Sequence, residues 1–482
     1  MKLLNLLIIA LTLAIIPIAG CGDDNEDTKD GGSDGDTDGD TDGDTDGDTD
    51  GDTDGDTDGD TDGDGDSDSG TPDESTSCED AVGIIVNDTT GVAAELQTPD
   101  DIDYFKIDVP EAGAFVGIWT EGYVEDKGHL DTVVELYNET GDTLLATSDD
   151  AFPRVDTDSE MIYRVPAAGT FCVRVLTWEQ WASQEPQQTT TDFTYTIKAG
   201  IIDSANKANT MDADDNDTLA NAQELALTKN DSNDGRYGLL FGTMSASDTV
   251  DYFKFTQPEK NIVAMMDIRP DGTGSAGVSG HGSTLKLGTL DFIRVSDEAV
   301  LGRLDVKAGS SGMIIPLKEG VDMVYKFTAP DGYTEGDNDF YTAYFSSSPT
   351  YNTPEAETET GGTNDTYDKS EYLKPDSNNK IFLSGRIVPS GDVDWFSFSA
   401  TSTTATMNCS ASSTGSGLEG FKVDVYRSDG TTVVKSYTED ATGIMEPKLE
   451  TVSGETYYLK ISATGQSSDV ISDSYLCGLQ AL

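Results

Sequence analysis

Carboxylates are the residues of this sequence with the most chemistry to offer. Asp101 and Asp103 stand two apart ahead of an aromatic pair, and Asp149 and Asp150 close a later hairpin. If the two loops converge, they gather the several hard oxygen donors that calcium takes. Asp212, Asp214 and Asn216 alternate along Met-Asp-Ala-Asp-Asp-Asn-Asp-Thr, with Asp217 where an EF-hand loop would place glycine. The competing explanation is local, because Asp starts turns through hydrogen bonds to its own backbone. Paired carboxylates also serve glycoside hydrolysis, but acidic turns spread along the whole chain fit a scaffold better than one catalytic pair. Trp178 and Trp181, in VLTWEQWASQEPQQ, fall where a strand end runs into a polar loop. Such rings either stack on sugars and protein partners or pin their own loop to the core.

Other motifs carry less. Gly272-Thr-Gly-Ser-Ala-Gly277 matches the dinucleotide-binding pattern, but Gly280 and Gly282 follow it, so no helix can open there and a surface loop is expected. Ser279 and His281 are neighbours without a nucleophile elbow or an orienting acid, so no catalytic triad is read from them. With two histidines in 482 residues, His-based metal sites and most histidine-base mechanisms lack material. Lys and Arg number 29 against 91 Asp and Glu, a net charge of −62 that repels nucleic acid.

The N-terminus reads as an export signal. Lys2 precedes an apolar run that stops at small residues before Cys21. Ile18-Ala19-Gly20-Cys21 resembles a bacterial lipobox, which implies lipidation of Cys21 after removal of residues 1–20. Gly22 after that cysteine leans toward the outer membrane. Residues 21–77 follow as a disordered tether that repeats Asp-Thr-Asp-Gly; from Gly22 to Asp80 there are 27 acids and a single base, Lys29. Nothing there can form a core. Asp38 to Gly43 copies the opening of a calcium loop, but position twelve would be Thr49 and no hydrophobic helices flank it. Loose counterion association is the plainer expectation, with an end-to-end reach on the order of 40–45 Å.

The carboxylates need elements to hold them, and those elements recur. Leu96–Ile107 (LQTPDDIDYFKI), Met244–Phe255 (MSASDTVDYFKF) and Ile387–Phe398 (IVPSGDVDWFSF) align without gaps on Asp103, Asp251 and Asp394. Each reads as a half-buried strand entered from an acidic turn. A strand-turn-strand, a second strand pair and a short aromatic strand follow in the same order each time. With 50 Gly, 19 Tyr and 16 Phe and no long helical pattern, the expectation is all-β. Three tandem antiparallel β-sandwich domains of jelly-roll-like form are expected at 78–200, 201–348 and 362–482, with a linker at 349–361.

These motifs resemble the bacterial pre-peptidase C-terminal domain family. Asp101, Asp103, Tyr104 and Phe105, then Leu136, Tyr137, Gly141, Leu145, Ala146, Asp149 and Asp150, then Gly169, Thr170, Phe171, Val173 and Val175 carry the likeness. The third repeat keeps Asp392, Asp394, Phe396, Tyr426, Gly430, Gly454, Tyr457 and Tyr458 but lacks the double Asp; the second is divergent. The resemblance implies a β-sandwich with a helper role in secretion, stability or polymer contact.

Apart from Cys21, four cysteines remain, and three pairings are possible. Cys78 with Cys172 and Cys409 with Cys477 are expected, since neither link then crosses a domain boundary. The expected protein is a lipid-anchored, surface-displayed, non-catalytic module, possessing structural calcium or merely Asp-built turns, that contacts an extracellular polymer or protein. The alternative is an accessory to a secreted hydrolase, or a cryptic hydrolase using the Asp-rich loops.

Overall fold

The computed structural model describes residues 75–98, 100–122, 130–149, 158–183, 193–213, 215–229, 235–257, 262–269, 282–306, 311–317, 321–349, 364–377, 379–388, 391–441 and 443–480. The export signal, Cys21, the tether up to Glu74, Asp150, Asp214, the Gly272–Gly277 motif, Ser279, His281 and residues 350–361 lie outside the described residues.

Strands dominate, and they form three pairs of sheets. The first pair uses β1 (Val82–Ile84), β2 (Val92–Glu95), β3 (Asp103–Val109), β4 (Phe115–Glu121), β5 (Thr132–Asn138), β6 (Leu144–Ser148), β7 (Glu160–Arg164), β8 (Gly169–Thr177) and β9 (Thr194–Ile202). Their orders are β1-β3-β8-β5-β6 and β2-β9-β4-β7. A helical turn, α1 (Trp178–Trp181), follows β8.

The second pair uses β10 (Asn209–Met211), β11 (Gln223–Glu224), β12 (Thr228–Lys229), β13 (Arg236–Thr243), β14 (Val250–Gln257), β15 (Ile262–Arg269), β16 (Thr289–Arg294), β17 (Ala299–Asp305), β18 (Ser311–Leu317), β19 (Val321–Thr328) and β20 (Phe340–Pro349). The orders are β11-β14-β19-β16-β17 and β10-β13-β20-β15-β18, with β12 beside β13.

The third uses β21 (Glu371–Tyr372), β22 (Ile381–Arg386), β23 (Val393–Ser399), β24 (Thr404–Ser410), β25 (Leu418–Glu419), β26 (Lys422–Tyr426), β27 (Val433–Thr438), β28 (Ile444–Glu450), β29 (Thr456–Ser462), β30 (Gly465–Gln466) and β31 (Ser474–Gln480). Here the orders are β21-β23-β29-β26-β27 and β22-β31-β24-β28, with β25 and β30 as a separate ribbon. Pairing is antiparallel throughout these orders except for β1 on β3, β10 on β13, β11 on β14 and β21 on β23.

Period-two alternation explains the layering. Along β3, Asp103, Phe105, Ile107 and Val109 point inward while Tyr104, Lys106 and Asp108 do not. The inner faces meet in three apolar cores, one around Phe105, Leu136 and Val173, one around Phe255, Phe292 and Tyr325, and one around Phe398, Val425 and Leu459. Each such side chain contributes about 1.5–3 kcal/mol by leaving water. The acidic residue that heads the recurrent motif is therefore not the last residue of a turn. It is the first inward-facing residue of a strand.

Register repeats with the same precision. Asp103 pairs with Val175 on β8, Asp251 with Phe327 on β19, and Asp394 with Ile461 on β29, so positions in the three units correspond residue by residue.

The units dock in the same manner twice. Gly282 of the second unit lies over Tyr163 and Ala146 at the edge strands of the first, where Asn338 also donates to the Arg164 carbonyl at 2.8 Å and Phe340 meets Phe115 at 5.7 Å. Gly415 of the third lies against Met313 of the second and accepts from the Arg303 amide at 3.0 Å, while the Ile471 amide donates to Val300 O at 2.9 Å. By register, Ala146 and Met161 correspond to Gly302 and Met313, and then to Lys435 and Glu446. On the third unit this seat therefore holds an ion pair, with Nζ 2.5 Å from Oε2.

Candidate metal centre

Each inward-facing Asp meets a tyrosine from the opposite sheet. The hydroxyls of Tyr195, Tyr341 and Tyr475 donate to Asp103, Asp251 and Asp394 at 2.5, 2.7 and 2.6 Å. A buried carboxylate is costly unless satisfied, so these hydroxyls explain why the acid is tolerated between the sheets.

In the second unit more acid converges on this pair. Asp212 follows β10, Asp248 closes the bridged turn opposite Ser245, and Asp251 is the second residue of β14. One carboxylate oxygen of each lies within 4.8 Å of the others. The Phe241 carbonyl fixes Asp212 by accepting from its amide at 2.9 Å, and the Thr243 amide donates to Asp212 Oδ2 at 3.3 Å. Asn216 is fully buried beside them and donates through Nδ2 to Asp212 Oδ1 at 3.1 Å. Its own Oδ1 makes no hydrogen bond, and neither does Asp251 Oδ1. The three carboxylates form a hard all-oxygen donor set, with the buried Asn216 amide held against Asp212 and its oxygen unengaged. That chemistry suits calcium and offers nothing to metals that prefer nitrogen or sulfur.

Without a cation the arrangement is electrostatically awkward. Burial, followed by the negative charge of Asp212, pushes the Asp251 carboxyl up to about 8 against the opposing hydrogen bond from Tyr341, with Asp248 and Asp217 adding to the rise. The buried Tyr341 hydroxyl is likewise held well above its ordinary range, first by desolvation and then by Asp251.

Asp212 and Asn216 are thus together, as their alternation in sequence suggested. Asp101, Asp103 and Asp149 do not form such a group among the described residues. The Asp101 carboxylate accepts from the amides of Gln97 and Ile102 at 2.8 and 2.9 Å, which is turn chemistry, and Asp103 is turned into the core. Asp149 is buried and accepts through its main-chain carbonyl from Ser159. Asp248 and Tyr341 were missing from the sequence reading, and Asp251 entered it only as the head of a strand motif and not as a candidate metal ligand. The signal for Asp248 was its D-x-x-D spacing to Asp251, whereas Tyr341 lies too far along the chain to be tied to the site by pattern. Trp178 and Trp181 are half-buried on α1, the helical turn that directly follows the end of β8; Thr177 Oγ1 caps that turn by accepting from the Gln180 amide at 3.2 Å.

No family model matches the chain, and no curated protein does. Among solved structures, similarity is reported to tripeptidyl peptidase 2 at 9% identity and a TM-score of 0.19, over 80% of this chain and 34% of that one. The CUB1-EGF-CUB2 domains of human MASP-1/3 share 10% identity at a TM-score of 0.16, over 51% and 99%. The PBSX exported protein XepA shares 11% at 0.17, over 50% and 85%. The chain thus spans about a third of the peptidase, and backbones this different carry no argument about function. Among the described residues, no helix is long and apolar enough to cross a membrane.

One substitution isolates the tyrosine's part. Tyr341→Phe removes the donor to Asp251 while keeping the ring, and is expected to cost about 1–3 kcal/mol of stability in chelator. Added calcium should recover much of that loss, because the ion then engages the carboxylate. The same change at Tyr195 or Tyr475 should cost a similar amount with no recovery. Urea unfolding with and without calcium reads both.

Proposed function

We propose that this protein is an exported, lipid-anchored surface protein whose β-sandwiches form a non-catalytic scaffold, held rigid by calcium in its second unit and contacting an extracellular polymer or protein. The observation that carries the reading is the Asp212, Asp248 and Asp251 cluster with the unengaged Asn216 oxygen beside it. Asp251 faces inward between the sheets, and an ion held there would tie β14 to the segment after β10 and so stiffen the fold. The two disulfides support export, because such bonds persist in oxidising compartments. The likeness of the repeated motifs to the pre-peptidase C-terminal family supports a helper role beside other secreted molecules.

Localisation and ligand are tested separately. Protease added to intact cells should release a soluble fragment beginning near residue 78, and Cys21→Ala should move the protein out of the membrane fraction. Protection until the outer membrane is permeabilised would place it in the periplasm. For the ligand, a glycan and matrix array probed with the chain should give a hit that Trp178→Ala and Trp181→Ala weaken by about 2 kcal/mol or more. Binding that survives both changes puts the contact elsewhere. A fall in melting temperature with either change would instead assign the rings to packing.

A further inference from the structure

The segment leading into each unit is fastened at one common place, by three different chemistries. Ser75, Asn216 and Asn364 correspond, since each holds the backbone just after the inward-facing Asp: the Tyr104 amide donates to Ser75 Oγ, the Tyr252 amide to Asn216 O and the Trp395 amide to Asn364 O. Three residues on stand Cys78, Leu219 and Tyr367. Three residues before Val175, Phe327 and Ile461 on the central strands stand Cys172, Val324 and Tyr458. In the first and third units these residues touch, and in the second they share one apolar cluster. Cys78 and Cys172 form a disulfide. Leu219 packs on the cluster that buries Val324. Tyr367 lies against Tyr458 with ring centroids 4.4 Å apart. Even the neighbouring turn is shared, because Gly141 and Gly430, both at positive φ, leave room for Cys78 and for Tyr367 where a Cβ would collide.

Packing alone thus suffices for this contact in two units, and the first unit makes it covalent. The first unit is also the one that receives the chain from the N-terminal anchor. We infer that Cys78–Cys172 is a mechanical staple, passing tension from the anchored segment directly into β8 and around the strands in between. Without the bond, a pull arriving at Ser77 would first peel β1, which is held to β3 over only Val82, Gly83 and Ile84. With it, the pull enters β8 at Cys172, which pairs with Lys106 on β3 and with Tyr137 on β5. β8 lies third of five in its sheet, so freeing it requires shearing two ladders at once.

This inference rests on the reading of the chain as anchored at its N-terminus, but the two fail separately. Cys21→Ala fractionation decides the anchor, whereas the staple is tested on the purified chain held at both ends in a force spectrometer. The comparison protein is the double variant Cys78→Leu with Cys172→Val, which copies the second unit's own solution at the same positions. In the wild-type chain, yielding of the first unit should lengthen the tether only by the stretch after Cys172, roughly 100 Å to the end of β9. In the variant the step should be about fourfold longer and should come at a lower force. Equal yield forces would overturn the staple and leave the bond as ordinary stabilisation. If the Leu/Val pair does not fold, Cys78→Ala with Cys172→Ala supplies the same comparison, with the same outcome required.

Discussion

Replacing Cys409 and Cys477 by serine is expected to remove about 4 kcal/mol of stability, if chain entropy is the whole effect of closing a loop of 68 residues. The bond joins residues directly opposite each other on β24 and β31, with Cα atoms 4.1 Å apart. Both sulfurs lie in the core of the third unit, so each serine also buries a hydroxyl in an apolar setting. A loss this large is a big share of the 5–15 kcal/mol typical of a domain. Thermal unfolding of the double variant should show one transition falling well below the rest. Unchanged midpoints would mean that the pairing adds nothing in solution, and non-reducing peptide maps showing four free thiols would mean it does not form.

The second large effect comes from the carboxylate cluster. Calcium at one hundred times its dissociation constant should stabilise the protein by about 2.7 kcal/mol, provided the unfolded chain does not bind it. Asp212→Ala and Asp248→Ala should each abolish that gain. The sign of the pH dependence follows from Asp251. In the cation-free protein its carboxyl sits near 8, above its unfolded value, so the folded state keeps a proton that the unfolded chain has released. That contribution is fully present below the unfolded pKa and is lost as pH rises through about 8. In chelator the melting temperature should therefore fall between about pH 4 and pH 8 as far as this group governs it, an interval of about four units. Calcium replaces the proton, so its affinity should climb over the same interval and its stabilisation should be greatest at the alkaline end. Equal midpoints with calcium and chelator at pH 8 would remove the metal centre from consideration.

Much of the fold was legible because its cause is local. The alternation in DYFKIDV gives β3 its two faces, and the turn residues after Tyr137 and Tyr426 place the hairpins. The disulfides followed from domain bracketing. The candidate site was legible only where the residues that would hold an ion are close in sequence. Asp212 and Asn216 are four apart and were found, whereas Asp248 looked like any other turn acid, and Asp251 like the opening of a strand, until β10 and β14 brought them together. Which way the motif Asp points was misjudged for the same reason. A carboxylate faces inward only if a distant hydroxyl receives it, and nothing near Asp103 announces Tyr195. The common fastening of the three units was still less visible, since a cysteine, a leucine and a tyrosine share no chemistry and only register equates them.

The ion pair between Lys435 and Glu446 has a consequence for how such a protein can change in length. Insertion of a further unit after the first or the second would find a seat of small and apolar residues, Ala146 with Tyr163 or Gly302 with Met313, already shaped for an incoming loop glycine. A unit inserted after the third would instead be seated on two charges that must be stripped of water. A further unit should therefore be tolerated more readily after the first or the second unit than after the third.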